Sequence, residues 1–168
     1  GIMQKSKYAL DMSPLGAGKT YTGAYMTGRF KYAITICPAK VEGKWNLVKT
    51  TYNLKKIKSI ISYDVLRSTK GKQPKHEYLF RFDIDGVTEF HPTEKYLRMV
   101  KKGLLLIVDE CHKLKNTSGQ HNAVKALLKP ICTEDGPSRA LIISGSPVDE
   151  EEGVINLLRL THVIRHRM

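Results

Sequence analysis

The chain has 168 residues, of which 41% are hydrophobic and 26% charged, a composition typical of one globular domain. Lys and Arg exceed Asp and Glu by 28 to 16, and the net charge of +12 suits a polyanionic partner. Three cysteines without a CxxC pair argue against a secreted disulfide framework, and no apolar run reaches the ~18 residues of a membrane span. We therefore expect an intracellular protein with no membrane partner.

Five short apolar runs predict strands buried on both faces of a parallel sheet, because apolar and polar residues do not alternate in them. In chain order they are KYALDM, YAITIC, IKSIIS, GLLLIVD and RALIIS, of which IKSIIS gives the weakest signal. Helices are predicted over residues 19–29, 41–51, 118–128 and 150–160, and over TEKYLRMVKK. This alternation predicts an α/β fold in which helices cover both faces of a mostly parallel sheet, as one domain over residues 1–168.

One stretch interrupts the alternation of strands and helices. Residues 77–92, EYLFRFDIDGVTEFHP, place alternating apolar residues on both sides of an Asp-Gly step. Asp-Gly favours the tight turn of a β-hairpin, so this stretch predicts a small hairpin inserted into the domain.

The string SPLGAGKT, residues 13–20, follows the first predicted strand and precedes a predicted helix. A glycine-rich turn in this place directs backbone N–H groups towards one point and favours a bound phosphate. Lys19 would reach the β- and γ-phosphates of a nucleotide, and the Thr20 hydroxyl would hold magnesium. The alternative is a turn that merely starts a helix. The predicted nucleotide contacts are Leu15, Gly16, Ala17, Gly18, Lys19 and Thr20.

Asp109 and Glu110 follow the buried run GLLLIV, at the end of a predicted strand. Ligands of open α/β sheets bind at this edge. We expect Asp109 to hold magnesium and Glu110 to orient and deprotonate an attacking water, with Lys19 completing the catalytic set. The alternative is a solvated strand end with incidental acids.

Five motifs together resemble the helicase-like ATPases of superfamily 2, and within them the Swi/Snf-like DNA translocases. SPLGAGKT is similar to motif I, AITICPAK with the downstream Trp45 to motif Ia, and IISYDVLR to motif Ib. DECHKLKN is similar to the DEAH box, with Cys111 in place of Ala, and LIISGSPVDEEEGVINLL to motif III. The motifs follow the family's order from residue 13 to about residue 160.

The resemblance implies the first RecA-like lobe of a two-lobed motor that hydrolyses ATP with magnesium and moves on nucleic acid, with duplex DNA favoured over RNA. The second lobe would lie in the same full-length protein, so we expect this chain to be a fragment. The resemblance implies nucleic-acid contacts at Pro38, Ala39, Lys40, Lys44, Ser62 and Tyr63. It implies coupling between the nucleotide and the track through His112, Ser144, Gly145 and Ser146.

Residues 40–75 contain ten Lys or Arg residues against Glu42 and Asp64, a local net charge of +8. The resemblance places motifs Ia and Ib, which bracket this stretch, on the nucleic-acid face, so we expect the stretch to hold phosphates without reading sequence. The alternative is a solvated lysine-rich helix. Few aromatic residues lie among the lysines, so base stacking is not indicated, and Trp45 is expected in the core.

Three other functions fit parts of the pattern. A strand-separating helicase or restriction-type motor belongs to the same superfamily, a P-loop kinase would share the phosphate loop, and a binding module could have lost hydrolysis. His162 and His166 are four residues apart, but no Glu follows His162, so HExxH metal chemistry is not predicted. Cys111 and His112 are adjacent and do not predict a nucleophile and its base.

Overall fold

The computed structural model describes residues 6–11, 18–114, 118–144 and 159–162. Five strands form one parallel sheet: β1 (Tyr8–Asp11), β2 (Tyr32–Cys37), β3 (Ile57–Ser62), β6 (Leu104–Val108) and β7 (Arg139–Ile143). Their order across the sheet is β1-β7-β6-β2-β3. Their carboxyl ends therefore meet at one edge, which we call the carboxyl edge, and their first residues meet at the opposite, amino edge.

Helices cover both faces of the sheet, which confirms the predicted fold class. Helices α1 (Lys19–Met26) and α2 (Glu42–Thr51) pack on one face, where Trp45 joins a buried cluster with residues such as Ile107 and Leu141. The opposite face carries α3 (Tyr63–Arg67), α4 (Glu94–Lys102) and α5 (Gly119–Cys132). Both faces of β6 are buried, which explains its uninterrupted apolar sequence.

The predicted hairpin is present as β4 (Leu79–Ile84) and β5 (Val87–Pro92). The two turn residues Asp85 and Gly86 have φ of 50° and 76°, as a two-residue turn of this type requires. Arg81 fixes the hairpin to the domain: its guanidinium contacts Asp83 at 3.1 Å and donates to the carbonyls of Arg67 and Ser68, each at 2.9 Å.

The predicted helix bounds need three adjustments. The first predicted helix is α1 followed by a 3-10 turn at Thr27–Arg29, and another 3-10 turn, Ala39–Val41, precedes α2. Helix α5 continues past residue 128, through Pro130, to Cys132. The five-residue α3 was not predicted; Ser62 caps it by accepting a bond from Val65 N–H at 3.3 Å. The predicted helix 150–160 lies almost wholly outside the described residues.

No helix in the described ranges is long and apolar enough to cross a lipid bilayer.

Candidate nucleotide-binding site

The start of α1 lies at the carboxyl edge of the sheet. Gly18 precedes the helix with φ 77° and ψ 27°, a left-handed conformation that a residue with a Cβ adopts only under strain. The Lys19 ammonium donates a hydrogen bond to the backbone carbonyl of Ser144, directly after β7. An ammonium has three donors, and one bond is made within the described residues, so two donors are left there for a bound anion. Leu15, Gly16 and Ala17 lie outside the described residues.

Ser144 contacts several of the predicted site residues. Its backbone N–H donates to Asp11 O at 2.9 Å, which ties the end of β7 to the end of β1. Its hydroxyl lies 3.1 Å from His112 Nδ1 and also bonds the Cys111 side chain. Ser144 therefore links the helix that begins with Lys19 to the segment after Asp109. Gly145 and Ser146 lie outside the described residues.

Asp109 directly follows β6 and is only 6% exposed. Its N–H donates to Ile36 O at 2.8 Å, and its Oδ2 accepts a bond from the Trp45 indole at 2.8 Å. Burial raises the pKa of this carboxyl, against the lowering effects of the Trp45 bond and the Lys44 charge. A bound divalent cation would favour the ionised form.

Glu110 adopts a left-handed backbone conformation with φ 54° and ψ 45°, although it is not glycine. Such a conformation costs roughly 1–2 kcal/mol and often marks a functional position. Glu110 precedes the 3-10 turn Cys111–Lys113, so the strained residue lies where the chain turns away from the sheet.

The oxygen donors near this edge suit magnesium. Thr20 is 5% exposed in the first turn of α1, and Asp109 supplies a carboxylate. Magnesium takes hard oxygen ligands and commonly has only one or two from the protein, the rest coming from phosphates and water. The described ranges contain no group of three or more His, Cys, Asp or Glu residues able to hold a metal.

One supporting residue, Trp45, escaped prediction as part of the site. Trp45 was expected in the core and is fully buried, but its indole also orients the Asp109 carboxylate. Its ring limits the approach of α1, since a Cβ added to Gly23 would lie 3.0 Å from Trp45 Cη2. The sequence does not reveal the contact between Trp45 and Asp109, because the two residues are 64 positions apart in the chain.

Ser62 and Tyr63 are placed differently from the other predicted nucleic-acid contacts. The Ser62 hydroxyl caps α3, and the Tyr63 hydroxyl donates to the Asp109 carbonyl. Both side chains are buried, and burial raises the Tyr63 pKa well above 10. These side chains therefore support the site from within the protein.

Pro38, Ala39, Lys40 and Lys44 follow the carboxyl end of β2. Pro38 is half-buried, whereas the other three are exposed and accessible to a partner. Lys44 is near enough to Asp109 to lower its pKa, which places it beside the same edge.

The basic stretch 40–75 is not the single surface that its sequence suggests. Lys40 and Lys44 lie near the carboxyl edge, whereas Lys55, Lys56 and Lys58 surround the start of β3 at the amino edge. The separation arises because α2 carries the chain back across the sheet between the two groups. The remaining cations after β3 lie in α3 and the loop before the hairpin: Arg67, Lys70, Lys72 and Lys75.

Within the described ranges, the His162 side chain contacts a backbone carbonyl and not a second histidine. Its Nε2 lies 2.9 Å from Lys125 O. His166 lies outside those ranges.

No protein-family model matches the sequence, and no curated protein matches it either. Among solved structures, the chain is similar to the SWI2/SNF2 ATPase core from Sulfolobus solfataricus, solved in complex with dsDNA, with a TM-score of 0.52 and 16% identity. The similarity covers 90% of this chain but only 30% of that chain. At this identity the likeness establishes architecture: the chain has a RecA-like α/β fold similar to part of a SWI2/SNF2 ATPase core.

Proposed function

We propose that the chain is the first RecA-like, ATP-binding lobe of a DNA-dependent translocase of the Swi/Snf-like type. The observation that carries the proposal is the contact of Lys19 with the carbonyl of Ser144, because it brings the start of α1 to the strand ends beside Asp109. A lysine, a buried carboxylate and a strained glutamate at one sheet edge form a set suited to phosphoryl transfer. The five sequence motifs and the similarity to a SWI2/SNF2 ATPase core support the same function.

In the proposed reaction, Lys19 neutralises charge on the β- and γ-phosphates of ATP. Thr20 and Asp109 would hold magnesium, which supplies charge neutralisation at the phosphates when bound. Glu110 orients the attacking water and takes its proton. Trp45 keeps the Asp109 carboxylate in place, with its indole N–H on Oδ2 at 2.8 Å. His112 and Ser144, with Gly145 and Ser146, would transmit the nucleotide state to the surface that holds the track.

The proposed track is duplex DNA. The SWI2/SNF2 core similar to this chain was solved with dsDNA, and a net charge of +12 favours a polyanion. We assign the contacts to the exposed residues after β2, chiefly Lys40 and Lys44. The backbone of Pro38 and Ala39 belongs to the same surface.

A second lobe would complete the motor, since the similarity covers 30% of the SWI2/SNF2 core. An arginine from an opposing lobe contributes about 10³–10⁵ in rate in related phosphoryl-transfer enzymes. The proposal therefore expects these 168 residues to bind ATP weakly and to hydrolyse it very slowly. A longer protein that includes the second lobe should show DNA-stimulated turnover.

The test measures phosphate release by the 168-residue chain and by the longer protein, each with and without duplex DNA. Brisk, DNA-stimulated turnover by the chain alone would contradict the two-lobe proposal. Transfer of the γ-phosphate to a small molecule instead of water would identify a P-loop kinase. ATP binding without turnover in the longer protein would identify a module that has lost hydrolysis. Separation of a forked duplex would favour a strand-separating motor over a translocase.

A further inference from the structure

A second concave site lies at the amino edge of the sheet, between the first residues of β2 and β3 and helix α4. We call it the basic cleft and define it by Tyr32, Lys58, Tyr78, Lys95, Arg98 and Lys102. Its volume is about 440 Å³, within the range of small-molecule sites. The six residues of strand β2 are separated by five steps of ~3.3 Å, so the cleft lies roughly 16 Å from the carboxyl edge. It shares no residue with the candidate nucleotide site.

The positive charge of the basic cleft is only partly neutralised. Lys95 pairs with Glu77, which also lines the cleft, and Arg98 pairs with Glu94 at 3.0 Å. Within the described ranges, neither Lys58 nor Lys102 lies within 4 Å of a carboxylate. Two cations of the cleft are therefore available to a ligand.

A further cation lies beside the cleft. The Lys58 ammonium is 6.0 Å from the centre of the Tyr32 ring, and the Lys31 ammonium is 5.8 Å from the same ring. Lys31 also has no carboxylate within 4 Å in the described part of the chain. Like charges gathered around one ring repel each other, and a bound anion would relieve that repulsion.

The wall of the cleft adds a neutral donor. The hydroxyls of Ser59 and Tyr78, both lining the cleft, lie 2.6 Å apart. Two hydroxyls carry two protons, and only one proton lies between the oxygens. Tyr78 is 4% exposed, and the described residues offer neither hydroxyl a second hydrogen-bond partner. The remaining proton can therefore be donated to a ligand in the cleft.

We propose that the basic cleft binds a compact anion that carries two or more phosphate groups. Ammonium and guanidinium groups form strong charge-assisted bonds with phosphate oxygens, and the cleft offers both types. The rim disfavours a long nucleic-acid backbone, because the Glu77 and Glu94 side chains are 69% and 84% exposed there. A phosphate chain that continued out of the cleft would meet these carboxylates, whereas a compact anion stays between the lysines.

The experiment measures the binding of inorganic tripolyphosphate by calorimetry, without magnesium. The double variant Lys58→Gln/Lys102→Gln should raise the Kd at least tenfold, because it removes the two lysines that have no carboxylate partner. The matched control is Lys55→Gln/Lys101→Gln, which removes the same charge from exposed neighbours that do not line the cleft. The control should change the Kd less than twofold. The double variant Ser59→Ala/Tyr78→Phe, which removes both hydroxyls, should weaken binding about fivefold.

The variant Lys19→Ala distinguishes tripolyphosphate bound at the phosphate loop from tripolyphosphate bound in the basic cleft. It should leave binding in the cleft unchanged, whether or not the chain is an ATPase. An unaltered Kd in the Lys58→Gln/Lys102→Gln variant would overturn the proposal. An equal loss in the control pair would show diffuse charge attraction and would also overturn it. Loss of duplex DNA affinity, with tripolyphosphate affinity retained, would assign the cleft to nucleic acid instead. All four lysines are exposed, and matching circular dichroism spectra would verify that the variants fold.

Discussion

The two edges of the central sheet both carry basic side chains but hold their polar groups in different ways. At the carboxyl edge Asp109 is buried and bonded to Trp45, and Lys19 is bonded to a backbone carbonyl. At the amino edge Lys58 and Lys102 are exposed and have no carboxylate within 4 Å in the described ranges. Fixed polar groups in a water-poor site suit chemistry, whereas exposed cations suit binding of an anion.

The polar groups of the two edges differ in burial because different structural elements surround each edge. Buried strands end at the carboxyl edge, so a charged group there is desolvated and needs partners from neighbouring elements. Trp45 from α2 supplies such a partner to the Asp109 carboxylate, and Tyr63 from α3 bonds the backbone carbonyl of the same residue. The amino edge is joined by exposed loops and the outer side of α4, where lysines remain hydrated. Position in the sheet therefore predicts a cation's role better than position in the sequence.

The largest expected effect is on turnover, which a change at the carboxyl edge should lower and a change at the amino edge should not. In the longer protein with duplex DNA, Glu110→Gln should lower turnover at least about 10²-fold, because it removes the proposed base and keeps the side chain's size. ATP affinity should be retained. The measurement is phosphate release at saturating ATP.

The cleft variant Lys58→Gln/Lys102→Gln is the control for turnover, which should stay at the parent value. Unchanged turnover in Glu110→Gln would remove Glu110 from the catalytic set. A loss of turnover in the cleft variant as large as that in Glu110→Gln would contradict the separation of the two edges.

The next effect concerns nucleotide affinity. Lys19→Ala should weaken ATP binding at least about tenfold, because charge-assisted hydrogen bonds contribute about 1.5–3 kcal/mol each. Lys101→Ala removes an exposed lysine of α4 and should leave ATP binding unchanged. Calorimetry gives both affinities. Equal ATP affinity in Lys19→Ala and the parent would exclude a phosphate-binding role for the start of α1.

Much of the fold could be predicted from sequence because buried parallel strands leave a strong signal. The uninterrupted run before Asp109 predicted β6 and with it the acidic pair at the carboxyl edge. The Asp85-Gly86 step predicted the hairpin turn. Helix α3 was missed because its five residues are too few to show a helical period.

The basic stretch shows where sequence proximity misleads. Helix α2 has ten residues and at ~1.5 Å per residue spans about 15 Å, close to the length of the neighbouring strands. Lysines before and after it therefore lie at opposite edges, although fewer than 20 residues separate Lys40 from Lys58. The sequence also did not reveal that Trp45 orients Asp109, because the bond joins α2 to the end of β6, which are distant in the chain.

A third prediction tests how tightly α1 is held against the site. Gly23→Ala places a Cβ 3.0 Å from the Trp45 ring, and overpacking of this kind costs about 1–3 kcal/mol. Gly43→Ala is the matched control in α2, where an added Cβ meets nothing within 4 Å. The control should gain about 0.5–1 kcal/mol from helix propensity. Denaturant midpoints should move in opposite directions, and equal stabilisation of both variants would mean that Trp45 yields easily.

The smallest expected effect lies beside the basic cleft and depends on pH. His76 Nε2 lies 2.9 Å from Leu66 O, and His76 Nδ1 accepts a hydrogen bond from the Tyr78 N–H at 3.2 Å. The neutral ring satisfies both contacts, whereas a proton added to Nδ1 would face the Tyr78 N–H donor. Burial lowers the His76 pKa from 6.5. Because the unfolded chain then holds the proton more tightly, stability falls as the pH drops below about 6.5, by at most about 1.4 kcal/mol per pH unit for one proton. Burial also lowers the pKa of His162, so this residue adds to the loss of stability at low pH. The test therefore compares the pH dependence of a His76 variant with that of the parent. Denaturant midpoints between pH 7.5 and 5.5 should fall less steeply in His76→Gln than in the parent. Parallel curves for His76→Gln and the parent would show that the ring accepts its proton without cost in the folded state.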